Sequence, residues 1–227
     1  MLDQEILKKL KSQANPENVK GMARFGINPQ KIYGITIPVL RKMAKEIGQD
    51  HQLSQQLWDS GIHEARILAS MIDEPEKVSE KQLEKWVKDF DSWDVCDQVC
   101  MNLFEKVPLA SKKINDWSKR KEEFVKRTAY ALMACLAWHN KEAPNSFFVK
   151  FLPLIKKGAT DERNFVKKAV NWALRNIGKK NLALNKKAIT AAQEIQKIES
   201  KSARWIAGDA LRELTSEAVQ KRLLAKK

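Results

Sequence analysis

Two tryptophans, an aspartate and a small set of cations are the residues of this chain whose types and spacing could do chemistry. Trp93 and Asp97 stand four residues apart in a segment of helical periodicity, so they are neighbours on one helix face. That sets an aromatic plate beside a carboxylate, at the margin of a stripe formed by Val95, Val99 and Leu103 and extended by Cys96, Cys100 and Phe104. At about 100° per residue, Trp172 falls beside Lys168, Arg175 and Lys179. It lies just outside the stripe of Phe165, Val166, Ala169, Val170, Ala173, Leu174 and Ile177, with Asn171 on the polar side. An indole among cations suits stacking or groove contact with a nucleic acid. Arg127 is expected on the polar side of a helix whose core stripe is Phe124, Val125, Thr128, Ala129, Leu132, Cys135 and Leu136. From there its guanidinium could grip a backbone phosphate with two donors. Each residue also has a plainer use. Asp97 could pair with an arginine, Trp172 could cap the edge of the core, and Arg127 could serve in ordinary ion pairs.

Metal chemistry is not indicated. Cys96 and Cys100 share a helix face, but His51, His63 and His139 are scattered far from them. The three cysteines, Cys135 included, read as core packing, and neither a metal nor a cofactor is expected.

The elements that must position these residues are helices. Only 8 Gly and 7 Pro punctuate 227 residues, and hydrophobic residues make up 43%, enough for a continuous all-α core. Amphipathic periodicity predicts helices over roughly 2–14, 38–48, 62–72, 79–90, 93–106, 121–138, 145–157, 161–178, 184–198 and 201–213, with a short one near 216–225. The stretch 21–37 is broken by Gly21, Gly26, Pro29 and Gly34. No linker separates two domains, so 1–227 reads as one domain. Phe124-Val-Lys-Arg127 is echoed 41 residues later by Phe165-Val-Lys-Lys168, and Ala173-Leu-Arg175 is echoed 37 residues later by Ala210-Leu-Arg212. These periods suit a two-helix repeat stacked into a curved solenoid, although amphipathic helices also resemble one another by chance.

The net charge of +14 is unevenly spread. Residues 1–110 carry 15 Lys+Arg against 17 Asp+Glu, whereas residues 111–227 carry 27 against 11. That polarity suggests a region facing an extended anionic partner; a solvated basic surface would explain the solubility but not the asymmetry. No apolar run is long enough to cross a membrane and no export signal opens the chain, so a cytoplasmic protein with reduced thiols is expected. Nothing suggests an oligomer, and a monomer is expected.

Several segments together resemble the AlkD-like DNA alkylation repair family of HEAT-like repeat DNA glycosylases. They are Met22-Ala-Arg-Phe25, Gly34-Ile-Thr-Ile-Pro38 followed by Arg41, Leu57-Trp-Asp59, Ser92-Trp-Asp-Val-Cys-Asp97, Phe124-Val-Lys-Arg127 and the run Phe165 to Arg175. The resemblance extends to about Lys180 and rests chiefly on Trp-Asp-x-x-Asp combined with Trp-x-x-Arg. It implies a right-handed superhelix with a concave basic face for duplex DNA carrying alkylated bases. It further implies hydrolysis of the N-glycosidic bond of 3-methyladenine and 7-methylguanine type purines, without cofactor. Trp93, Trp172 and Asp97 look like the residues that surround the damaged nucleotide. Arg127 and Arg175, with Lys168 and Lys179, look like the backbone contacts.

Three positions depart from the family pattern. Phe25 stands where a Tyr is usual, Thr36 replaces a Gln and Cys135 replaces a Lys, which alters the secondary DNA contacts at Phe25 and Thr36. The alternative is a non-catalytic HEAT protein that binds branched or damaged DNA. A third reading, a helical scaffold for an acidic protein, requires only the charge and the solenoid.

Overall fold

The computed structural model describes residues 2–225, and no strand occurs among them. The helices are α1 (Leu2–Ser12), α2 (Pro16–Ala23), α3 (Ile37–Ile47), α4 (His51–Asp59), α5 (His63–Ile72), α6 (Glu80–Asp89), α7 (Trp93–Asn102), α8 (Pro108–Trp117), α9 (Glu123–His139), α10 (Asn145–Val149), α11 (Leu152–Gly158), α12 (Asn164–Gly178), α13 (Leu182–Gln196), α14 (Lys201–Leu214) and α15 (Glu217–Leu224). None is long and apolar enough to cross a membrane.

The chain divides into two compact units, residues 1–110 and 111–227. This division coincides with the change in charge balance. In the first unit α5 packs on α3, α4 and α7, and in the second α12 packs on α9, α13 and α14. Within each unit the helices of successive hairpins therefore stack, α3 on α5 on α7 in the first and α9 on α12 on α14 in the second, as a two-helix repeat requires. Hydrogen bonds between neighbouring repeats recur at fixed sequence separations. Tyr33–Glu64, Trp58–Asp89 and His63–Asp94 are each 31 residues apart. Arg127–Phe165, Asn171–Asp209 and Arg175–Glu213 are each 38 apart. The echoed phenylalanines Phe124 and Phe165 stack with centroids 5.7 Å apart, so the sequence similarity marks spatial neighbours.

Apolar stripes fill the core of each unit. Trp58 and Trp86 lie parallel at 3.8 Å in the first, beside Phe90. Leu132, Phe148, Val166, Leu174, Ile195 and Leu214 are buried in the second. All three cysteines are buried, as core packing requires.

Several boundaries differ from the sequence expectation. The periodicity predicts none of α2, α4 and α8; α2 buries no residue, and α4 offers only Leu53, Leu57 and Trp58 as apolar anchors in nine residues. Its start is fixed by Asp50, whose carboxylate accepts from the Leu53 N–H. The single helix expected over 145–157 is two helices, the second opening with Pro153 in its first turn. The helix expected over 93–106 ends at Asn102 and is followed by a 3₁₀ turn, Phe104–Lys106.

Candidate nucleic-acid interface

The second unit carries a cavity of about 770 Å³. The ends of α9 and α12 build it, and Arg222 of α15 reaches into it. Its lining residues include the indoles of Trp138 and Trp172, the cations Lys141, Arg175, Lys179, Lys180 and Arg222, and the amides Asn176 and Asn181; none is acidic. Trp138 is 59% exposed, an expensive position for an indole unless something covers it. Trp172 is half-buried and shares this cavity with Arg175 and Lys179, the neighbours its helical angle predicts. Lys168 is exposed on the same helix but does not line the cavity.

The cations fall into two groups. Lys180 donates to the carbonyls of Ala137 and Asn140, satisfying the C-terminus of α9. Arg175 binds Glu213 through Nε and Asp209 through Nη1, and Lys179 binds Glu213 at 2.9 Å. These pairs hold Arg175 above its ordinary pKa and Glu213 below its own, against the opposing effect of burial. Lys141 and Arg222 are exposed, and their side chains make no hydrogen bond or ion pair among the described residues.

Two expectations about α9 and α12 are corrected. Arg127 is only 5% exposed and its Nη1 donates to the Phe165 carbonyl of α12. Helix α9 is buried on every side from Arg127 to Ala137, so its polar side does not reach solvent. Asn171, expected on the outer face, is likewise buried, with its Nδ2 donating to Asp209 at 2.7 Å.

In the first unit, Trp93 opens α7 and Asp97 lies one turn on, both half-buried. The Trp93 indole N–H donates to the Phe25 carbonyl at 3.0 Å, which fixes the ring plane, and the Phe25 side chain is 71% exposed. Thr36 is exposed at the start of α3, and its side chain makes no capping bond. The loop bearing Phe25 and Thr36 is held by buried Glu64 of α5, whose carboxylate accepts from the backbone N–H groups of Tyr33, Gly34 and Ile35. Gly34 has φ +75°, and a Cβ there would fall on the Asn15 carbonyl oxygen.

The N-terminal turn of α7 is pinned by Asp94, which binds His63 Nε2 at 2.9 Å and accepts from Ser92. Burial works against the His63 cation, but the hydrogen bond and charge of Asp94 outweigh it and raise the imidazole above 6.5. Burial likewise works against the Asp94 anion, and His63 and Ser92 together hold the carboxyl below 3.8. The Asp94 contribution to stability is present above about pH 4 and lost as pH falls further. That of His63 is complete below about pH 6.5 and lost as pH rises through its raised pKa. Thermal unfolding is therefore expected at lower temperature at pH 9 than at pH 6, and His63→Gln should flatten that part of the profile. An unchanged profile in the variant would show that the pair contributes nothing.

Residues 6–214 match the family of DNA alkylation repair enzymes. The chain belongs to that family. One solved protein, described as related to the HEAT-like repeat DNA glycosylases with affinity for branched DNA structures, has the same fold. Its TM-score is 0.80 at 18% identity, over 97% of this chain and 95% of that one. A designed armadillo repeat protein in complex with the peptide (KR)4 aligns over 82% of this chain and 89% of its own, at 18% identity and TM-score 0.38. No curated protein sequence matches the chain.

Sequence reasoning about this DNA alkylation repair family member missed Trp138, Lys141, Lys180 and Arg222. A signal existed for the first two: Trp138-His-Asn-Lys141 places an indole in a polar run just as the apolar stripe of α9 ends. Arg222 offered none, since its helix lies far along the chain from Trp138 and Trp172.

Proposed function

We propose that this chain is a DNA glycosylase that hydrolyses the N-glycosidic bond of cationic alkylated purines, of the 3-methyladenine and 7-methylguanine type, in duplex DNA. The observation that carries the proposal is the cavity in which two indoles and five cations converge without a carboxylate in the lining, in a member of the DNA alkylation repair enzymes. Such a lining suits an anionic strand with an aromatic base stacked on the indoles.

N3- or N7-alkylation makes the purine a cation and a good leaving group. When the C1′–N bond breaks, the electron pair departs with the base, which leaves neutral, and positive charge develops on the deoxyribose. Asp97 is assigned the stabilisation of that charge and the orientation of the water whose oxygen bonds to C1′. The water proton passes to solvent. Trp93, beside Asp97 in the first unit, and Trp172, in the cavity of the second, are each assigned an aromatic contact with damaged DNA. Arg175 keeps Nη2 for a phosphate while Glu213 and Asp209 orient the rest of its guanidinium, and Lys179, Lys141 and Arg222 add charge. Arg127 is left out of the phosphate contacts, because its guanidinium is committed to the packing of α9 on α12. Lys168, Phe25 and Thr36 are exposed and remain as outlying contacts.

The second reading, structure-specific DNA binding without base release, is favoured by one observation: the neighbour that shares the fold is described as having affinity for branched DNA. Equilibrium binding separates the two. A duplex with a cationic azasugar in place of one deoxyribose mimics the charge that develops during bond cleavage. It is expected to bind at least about 100-fold more tightly than undamaged duplex, as a mimic of the transition state should. Equal affinity for both duplexes, with a four-way junction bound best, would favour the second reading.

A further inference from the structure

Helix α14 presents a second feature that neither the catalytic assignment nor the fold explains. Lys201, Trp205, Gly208 and Arg212 are spaced i, i+4, i+7 and i+11 and therefore lie along one narrow stripe. Lys201 and Arg212 are exposed at its ends and Trp205 is 43% exposed between them. Lys167 of α12 lies over the Trp205 ring at 5.2 Å. Gly208 stands in the helix interior, where alanine would be more stable by about 1 kcal/mol.

Two other helical glycines of this unit have a reason in the packing. A Cβ at Gly158 would strike the Tyr130 hydroxyl, and one at Gly178 would meet Leu214 at 2.6 Å. At Gly208 a Cβ would meet nothing within 4 Å. An indole and a glycine on a solvent-facing stripe both cost stability in the isolated protein. Both make sense if a partner approaches the helix closely at Gly208.

We propose that the stripe is a second DNA contact, at which the sugar-phosphate backbone of a duplex crosses α14 over Gly208. Trp205 packs against deoxyribose, while Lys201, Lys167 and Arg212 meet phosphates. The inference rests on duplex DNA being the ligand of this chain. Charge selects the partner. Two carboxylates border the stripe and both have partners: Asp209 is bound by Asn171, Arg175 and Arg212, and Glu162, beside Lys167 and Lys201, accepts from Ser200 and Ser202 at the N-terminus of α14, while Arg204 adds a further exposed cation. Eleven residues of helix span about 16 Å, roughly half a turn of B-DNA. A protein partner would need an apolar centre larger than one indole.

Gly208→Leu tests the idea, because leucine favours the helix and closes the approach without changing charge. Its affinity for a long undamaged duplex is expected to fall at least about tenfold, with an unfolding temperature no lower than that of wild type. Trp205→Ala should lose affinity in the same direction. Lys201→Gln with Arg212→Gln should make the slope of log affinity against log salt shallower by about 1.8. Base release at saturating protein is expected to stay at the wild-type rate in Gly208→Leu. Wild-type affinity in both Gly208→Leu and Trp205→Ala would overturn the inference and leave the glycosylase reading standing. Weakened binding by these variants, with no base release from wild type, would do the reverse. Failure of wild type to bind duplex would overturn both.

Discussion

Replacing Asp97 by asparagine is expected to lower single-turnover base release from methylated duplex by about 10²–10³-fold. That corresponds to about 3–4 kcal/mol of transition-state stabilisation. The side chain keeps its size, and the half-buried first turns of α7 remain pinned by Asp94 through His63 and Ser92. What changes is a full negative charge beside Trp93. Ground-state affinity should move the other way: if this surface meets DNA as proposed, removing its anion leaves binding unchanged or tightens it. A fall in release with unaltered affinity therefore separates a lost transition-state interaction from a damaged fold. Equal release by the two proteins would remove Asp97 from the chemistry.

The largest expected effect on stability lies at Glu64. This carboxylate is fully buried and receives the N–H groups of Tyr33 at 2.9 Å, Gly34 at 2.6 Å and Ile35 at 3.1 Å. Glu64→Ala strands those donors away from water and removes what holds the loop before α3. A loss of about 3–5 kcal/mol is expected, since each unsatisfied buried donor costs about 1–3 kcal/mol and the loop relaxes in part. Urea unfolding reads this as a lower midpoint. The same loop supplies the Phe25 carbonyl that orients Trp93, so folded Glu64→Ala should also show weakened DNA contacts in the first unit. A shift below about 1 kcal/mol would mean that water replaces the carboxylate.

Much of this arrangement was legible in the residue pattern, and the omissions have a common cause. The helical angle of Trp172 identified Arg175 and Lys179 as its neighbours, because that surface of α12 borders a cavity rather than another helix. The same reasoning misplaced Asn171 and Arg127. An amphipathic stripe marks one buried face, whereas a helix in a stacked array is covered on more than one, and polar residues then bury themselves against the next repeat. The clue lay in α9 itself, where Ala129 to Ala137 is nearly continuous apolar sequence with no polar face to expose. Glu64 escaped notice because an acidic residue in an amphipathic helix is ordinarily a surface residue. Only the loop that folds over it 31 positions earlier gives it partners. Trp138 and Arg222 come to the cavity through the packing of α9 on α12 and of α15 on α14, which no local pattern encodes.

Methylated duplex DNA is expected to lose its alkylated bases to this chain. The direct measurement is the amount of free methylated purine released from a methylated duplex by excess wild-type protein, counted against the abasic sites formed, with chelator present. The expected result is 3-methyladenine and 7-methylguanine in the free fraction, with one abasic site for each. Tight binding of the same duplex, with release no faster than in buffer alone, would contradict the glycosylase assignment and make the chain a DNA-structure-binding member of its family.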